Sequence, residues 1–254
     1  MSGSYTLDVV DDEAALAAAL ARAFLRSATR ALAAGGRFDV ALAGGSTPKA
    51  AYRLLARDAT LDWSRVRFFF GDERCVPPVD DESNYRMARE ALLEPLSIPG
   101  DHVFRMRGEA EPAEAAQTYA TTLIRELGAV PTLDLVMLGL GPDAHTASLF
   151  PGSDPFADQE RLVRAPWVAK VGSHRLTLTP AVLNAARGVV FATGGDAKAD
   201  ALHAVLEGRY DPSEAPAQAV APTQGDLAWI VDRAASRRLN PRTIDGHAGV
   251  PPPS

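Results

Sequence analysis

Cysteine is nearly absent from this 254-residue chain: Cys75 stands alone. That excludes an internal disulfide and any cysteine-based metal cage. The histidines are few and show no H-E-x-x-H or other ligand spacing, so no metal is implied. No apolar run approaches the roughly 18 residues of a membrane span. The N-terminus also has no basic stretch leading into a hydrophobic one. Positive charge is in deficit, with a formal net charge of -6. Nucleic acids and membrane surfaces both need basic patches, so neither is an expected partner. These absences predict a soluble, cytoplasmic protein. What remains is ordinary globular material, with 46% hydrophobic and 23% charged residues. The Ala-rich stretches are helix formers rather than disordered low complexity.

Strand and helix signals alternate along the chain. The runs Tyr5–Val10, Phe38–Ala43, Val66–Phe70, Leu133–Leu140, Val189–Thr193 and Ala228–Val231 read as strands, most of them buried on both faces. Helical spacing covers Ala14–Ala34, Pro48 to about Arg57, Asn84–Glu94, Pro112–Leu127, Asp196–Leu206 and Asp232–Leu239. Arg161–Arg164 and Arg175–Thr179 alternate as further strands. The pattern predicts an α/β protein: a Rossmann-like, mostly parallel sheet with helices on both faces. No repeat or linker interrupts Tyr5–Leu239, which predicts one domain. Asn240–Ser254, rich in proline, reads as a loose tail.

The stretch Leu133–Gly152, LDLVMLGLGPDAHTASLFPG, organises the rest. Gly139, Gly141 and Pro142 end its strand in a turn. Asp143 and His145 follow, with Thr146 and Ser148 leading into a short helix. A carboxylate and an imidazole at the carboxyl end of a buried strand lie where open α/β sheets keep their ligand crevice. A histidine that merely caps the turn fits the same pattern. Gly44-Gly45-Ser46-Thr47-Pro48 joins another buried strand to a helix, with Thr47 as cap and Pro48 at the first helical position. Its glycines allow close approach, and its helix start attracts a phosphate. It lacks the spacing of a Walker or a dinucleotide loop. Gly71-Asp72-Glu73-Arg74 ends a third strand. Arg74 suits a phosphate or carboxylate, and Asp72 or Glu73 a sugar hydroxyl, with Asn84 and Tyr85 completing that wall. A surface salt-bridge cluster is the plainer account of the same residues. Arg175 and Lys198 would join them in a cationic pocket within an acidic protein, which suits a small phosphorylated substrate.

Four blocks, ALAGGSTP, FFFGDERCVPPVDDESNYRMA, LDLVMLGLGPDAHTASLFPG and FATGGDAKADAL, together resemble the signature blocks of the 6-phosphogluconolactonase family. The ending WIVDRAASRRL is similar to that family's last strand and helix. The GDER and HTASLFPG blocks are specific, while the GGSTP turn is shared with glucosamine-6-phosphate deaminases. The resemblance implies a Rossmann-like (NagB/RpiA-like) fold with no metal or organic cofactor. It also implies hydrolysis of 6-phospho-D-glucono-1,5-lactone in the oxidative pentose phosphate pathway. His145 would be general base, and Asp143 would orient it or a sugar hydroxyl. Gly44, Gly45, Ser46, Thr47, Asp72, Glu73, Arg74, Asn84, Arg175 and Lys198 would bind the substrate, with amides of the Gly139–Gly141 turn or a nearby cation at the oxyanion. A monomer is the favoured state. One departure stands out: Ala144 replaces the glycine that usually precedes the active histidine. If that position needs positive φ, alanine costs about 1 kcal/mol or more. Two other readings remain. One is a deaminase-type isomerase, whose sites carry Asp-Glu-Tyr and Glu-Pro-Gly where this chain has Asp72-Glu73-Arg74 and Phe150-Pro151-Gly152. The other is a non-catalytic sugar-phosphate sensor.

Overall fold

The computed structural model describes residues 4–157 and 160–247. In chain order it contains β1 (Thr6–Val10), α1 (Glu13–Ala33), β2 (Phe38–Leu42), α2 (Ser46–Leu55), β3 (Val66–Phe70) and β4 (Asp72–Arg74). Then come α3 (Asn84–Ala88), extended by a π turn at Arg89–Leu93, α4 (Pro112–Leu127), β5 (Leu135–Leu138), β6 (Val163–Arg164), β7 (Trp167–Val168) and β8 (Ser173–Leu178). The remainder is α5 (Pro180–Leu183), β9 (Gly188–Thr193), α6 (Ala199–Leu206), β10 (Asp226–Asp232), α7 (Arg233–Ser236) and α8 (Pro241–His247).

Six strands form one sheet in the order β1-β10-β9-β5-β2-β3, and every neighbouring pair is parallel. Every residue of β2, β5 and β9 is buried. Continuous apolar runs form such strands because helices cover both faces. From β2 the chain steps outward to β3, whereas from β5 it steps the other way through β9 to β10. The winding reverses between β2 and β5, and a doubly wound sheet opens its crevice there, beyond the carboxyl ends of the strands. Two buried tyrosines brace that edge. The Tyr52 hydroxyl bonds both backbone groups of Ala43 after β2, and the Tyr119 hydroxyl bonds both of Phe70 at the end of β3. Deeper in the core, Phe191 and Trp229 stack with centroids 3.9 Å apart.

The chain departs from expectation in four places. Asp72–Arg74 does not finish β3. Gly71 turns the chain, donating its N–H to Leu42 and accepting from Leu178. The next three residues then enter a second, antiparallel sheet, β4-β8-β6, with β7 also paired to β8. Alternation marked β8 as a strand, but nothing local tells a three-residue strand from a strand end. Thr146 and Ser148 enter no helix; Thr146 and Leu149 instead form an isolated bridge. Pro241–His247, expected within a loose tail, is helical, and Ile244 packs on the core. The rest of that tail, 248–254, lies outside the described residues. Finally, α2 starts at Ser46 with Gly45 as its cap, not at Pro48 with Thr47 as cap.

Glu73, expected to touch a ligand, is a brace instead. It is 2% exposed. Its Oε1 accepts the N–H groups of Arg74 and Asn84, and its Oε2 accepts the Tyr85 N–H and the Ser83 hydroxyl. Burial pushes its carboxyl up, and the backbone donors pull it part of the way back. The buried charge thus ties the acidic loop and the start of α3 to β4. Glu73→Ala leaves three N–H groups without their acceptor. At about 1–3 kcal/mol per buried unsatisfied donor, we expect a loss of about 3 kcal/mol or more in urea unfolding, with the parallel sheet intact by circular dichroism.

Candidate active site

The loop after β5 is folded tightly by its own backbone. Gly141 N–H donates to the His145 carbonyl at 2.8 Å, and Ala144 N–H donates to the Gly141 carbonyl at 3.0 Å. The Thr146 hydroxyl reaches back to the Gly139 carbonyl at 2.9 Å. Ala144 sits at φ 61, in the left-handed region. The loop has therefore not shifted to suit alanine. It holds the glycine-type backbone at a cost of about 1–2 kcal/mol, anchored by Ala217 N–H donating to the Ala144 carbonyl. Gly141 is fixed by crowding, since a methyl there would lie 1.9 Å from His145 Nδ1 and 2.7 Å from Asp143 Oδ1. The Gly141 N–H, spent on His145, is unavailable to an oxyanion. That narrows the expected role of the Gly139–Gly141 turn.

Asp143 and His145 meet directly, Oδ1 to Nδ1 at 2.5 Å. The other carboxylate oxygen accepts from Lys170 Nζ at 2.6 Å. Partial burial pushes the Asp143 carboxyl up, but hydrogen bonds from Lys170 and His145 outweigh it and hold the group well below the usual carboxylate range. Such a group contributes stability above the ordinary aspartate value, about pH 4, lost as pH falls through its lowered value, and the contribution is small because the Lys170 partner is largely exposed. An ionised Asp143 accepts the Nδ1 proton of the neutral ring and leaves Nε2 as the basic atom. The Phe150 ring stacks on the imidazole with centroids 4.3 Å apart. The His145 side chain is 28% exposed, turned neither to bulk solvent nor into the core.

His145 opens on a cleft of about 360 Å³. Gly44, Gly45, Asp72, Arg74, Asn84, Arg175 and Lys198 line it with the histidine. The strand ends that the sequence kept apart therefore converge. Ser46 and Thr47 do not line the cleft. They form the first turn of α2, whose cap Gly45 has φ 106 and supplies no side-chain acceptor. The N–H groups of that turn have no intrahelical partner and suit an anion. Arg74 and Arg175 are directly paired across β4 and β8. Like charges on one rung repel, and neither guanidinium meets a carboxylate among the described residues. Arg74 donates to the Glu82 carbonyl and Arg175 to the His174 carbonyl. Burial pushes the Lys198 ammonium down, with Lys170 adding to this and Asp143 opposing it.

A polar rail runs along the other wall. Asn84 Nδ2 donates to the Asp72 carbonyl and carboxylate, and the Ser148 hydroxyl donates to Asp72 Oδ2 at 2.8 Å. A methyl at Gly44 would lie 1.9 Å from Asn84 Oδ1, so close backbone approach requires glycine there. The sequence reading missed Lys170, which sits in the short turn Ala169–Val171 with no glycine-rich or alternating signal. It marked Phe150 only as the residue standing where deaminases carry glutamate, not as a ring stacked on the histidine. Among the described residues, no group of three or more His, Cys, Asp or Glu side chains could hold a metal ion.

The model of the family "Glucosamine-6-phosphate isomerases/6-phosphogluconolactonase" matches residues 11–229. The chain belongs to this family. It is 42% identical to the 6-phosphogluconolactonase of Synechocystis sp. over 218 residues, covering 84% of this chain and 89% of the relative. It is 38% identical to the 6-phosphogluconolactonase of Homo sapiens over 242 residues, covering 92% and 93%. The solved 6-phosphogluconolactonase of Trypanosoma brucei superposes with a TM-score of 0.84 at 31% identity, covering 94% of this chain and all of that one.

The dyad geometry predicts that neutral His145 carries its proton on Nδ1. Nitrogen-15 imidazole spectra should report that tautomer in the wild type, and a tautomer mixture in Asp143→Asn and in Gly141→Ala. An Nε2-protonated ring in the wild type would contradict the assignment.

Proposed function

We propose that this protein hydrolyses 6-phospho-D-glucono-1,5-lactone to 6-phosphogluconate, with His145 as general base. The observation that carries this reading is a base and an unneutralised pair of guanidinium groups lining one cleft. The pair of cations holds the phosphate, together with the α2 start and Lys198, and the imidazole faces the lactone.

In the first step, His145 Nε2 takes a proton from water while the water oxygen bonds to the lactone carbonyl carbon. Asp143 stabilises the imidazolium that forms. In the second step, the carbon–ring-oxygen bond breaks and the imidazolium returns the proton to the departing ring oxygen. The acid product then ionises in solvent. Positioned proton transfer of this kind supplies roughly 10²–10⁴-fold. Gly139 and Leu140 N–H groups are the candidates for oxyanion support, Lys198 being engaged with the phosphate. Asp72, oriented by Asn84 and Ser148, takes a sugar hydroxyl.

Two residues favour hydrolysis over a deaminase-type isomerisation. Where the resembling deaminase motif has tyrosine, this chain has Arg74 in the cationic pair. Where that motif has glutamate, it has Phe150, stacked on the base and unable to move a proton.

His145→Ala should bind 6-phosphogluconate as the wild type does while losing turnover by about 10²-fold or more. Arg175→Ala should raise KM at least about tenfold with a smaller change in kcat. Calorimetry and a lactone-consumption assay read both variants. Near-normal turnover by His145→Ala removes the histidine from the mechanism, and ammonia release from glucosamine 6-phosphate by the wild type favours the isomerase reading.

A further inference from the structure

We propose that Lys170 is a positioning residue for the reaction: it fastens one oxygen of Asp143 so that the other holds the His145 ring. The inference rests on the lactonase reading for its kinetic consequence, but its structural part stands on geometry.

Lys170 lies between β7 and β8, far in sequence from the loop that carries the dyad. Its Nζ is 2.6 Å from Asp143 Oδ2, while Asp143 Oδ1 is 2.5 Å from His145 Nδ1. The carboxylate is thus pinned at both ends, by a cation on one side and an imidazole on the other. The ammonium side chain is 59% exposed and that of Asp143 only 22%. An exposed ion pair adds little to stability, so the contact is not explained as a fold support. Its effect falls on the dyad. Asp143 is two residues from His145 in a tight turn, and among the described residues its carboxylate has no other side-chain hydrogen-bond partner, only the His145 N–H at 3.4 Å beside these two. Without Lys170, Oδ2 loses its side-chain donor, and the carboxylate's orientation rests on the contacts of Oδ1 with His145.

The positive charge of the ammonium sits on the far side of the carboxylate from the imidazole, 2.6 Å from Oδ2. The charged groups facing the same cleft are Lys198 from the turn after β9, Asp72 and Arg74 on β4, and Arg175 on β8. Lys198 itself feels Lys170, so the imidazole tautomer, and not a rate profile, reports the lost contact.

The test compares Lys170→Met, Lys170→Arg, Asp143→Asn and the Lys170→Met/Asp143→Asn pair in the full chain. For Lys170→Met we expect kcat to fall about 10- to 100-fold with KM within about threefold of wild type. We also expect the nitrogen-15 spectrum of His145 to lose part of its Nδ1-protonated tautomer. Lys170→Arg should restore most of each change. In the Asp143→Asn background, Lys170→Met should cost nothing further, because the lysine acts through that carboxylate. A tenfold rise in KM with kcat preserved would make Lys170 a substrate ligand and overturn the proposal, as would additive losses in the double variant. Absence of lactone turnover in the wild type would sink the functional reading alone. The imidazole spectrum of Lys170→Met would then decide the positioning role, an unchanged tautomer overturning it.

Discussion

A parallel sheet whose winding reverses must part its connections at the point of reversal. Here that point lies between β2 and β5, because the chain leaves β2 toward β3 and leaves β5 toward β9. The segment after β2 delivers Gly44, Gly45 and the open start of α2. The segment after β5 delivers Asp143 and His145. Burial fixes both strands in register, and two tyrosine hydroxyls hold the neighbouring strand ends. The site needs no long insertion. It is assembled from short turns on rigid strands, which suits placement of a base to within a fraction of an ångström.

The second, antiparallel sheet supplies what the first cannot. A parallel strand ending at Gly71 would carry Arg74 out past the crevice. Pairing β4 with β8 turns it back and sets it opposite Arg175. The repulsion between these cations is a standing cost, which the proposed phosphate would remove. Glu73 supports the arrangement from beneath by absorbing the N–H groups at the start of α3. Ala144 shows a second such cost, a left-handed alanine retained because the turn must deliver His145 toward Asp143.

Much of this was legible in the residues alone. The apolar runs gave the parallel strands, and Pro112–Leu127 was bounded as observed by a helix-starting proline and a closing glycine. The glycine-rich turns marked three strand ends that do converge on one cleft. Less legible were features decided by tertiary partners. Glu73 looked like a ligand because a buried carboxylate needs donors, and sequence cannot say that those donors are its own backbone neighbours. Ser46 and Thr47 form the helix start beside the cleft without lining it, since Gly45 takes the cap. Lys170 carried no local signal because its meaning comes from a carboxylate 27 residues earlier.

The proposed chemistry requires one substrate orientation, and a crystal structure with bound 6-phosphogluconate reads it directly. Phosphate oxygens should lie about 3 Å from the Arg74 and Arg175 guanidinium groups, and the carboxylate carbon within about 3.5 Å of His145 Nε2. A sugar bound in the reverse sense, with phosphate on the imidazole, or seated outside the cleft between β2 and β5, would contradict it.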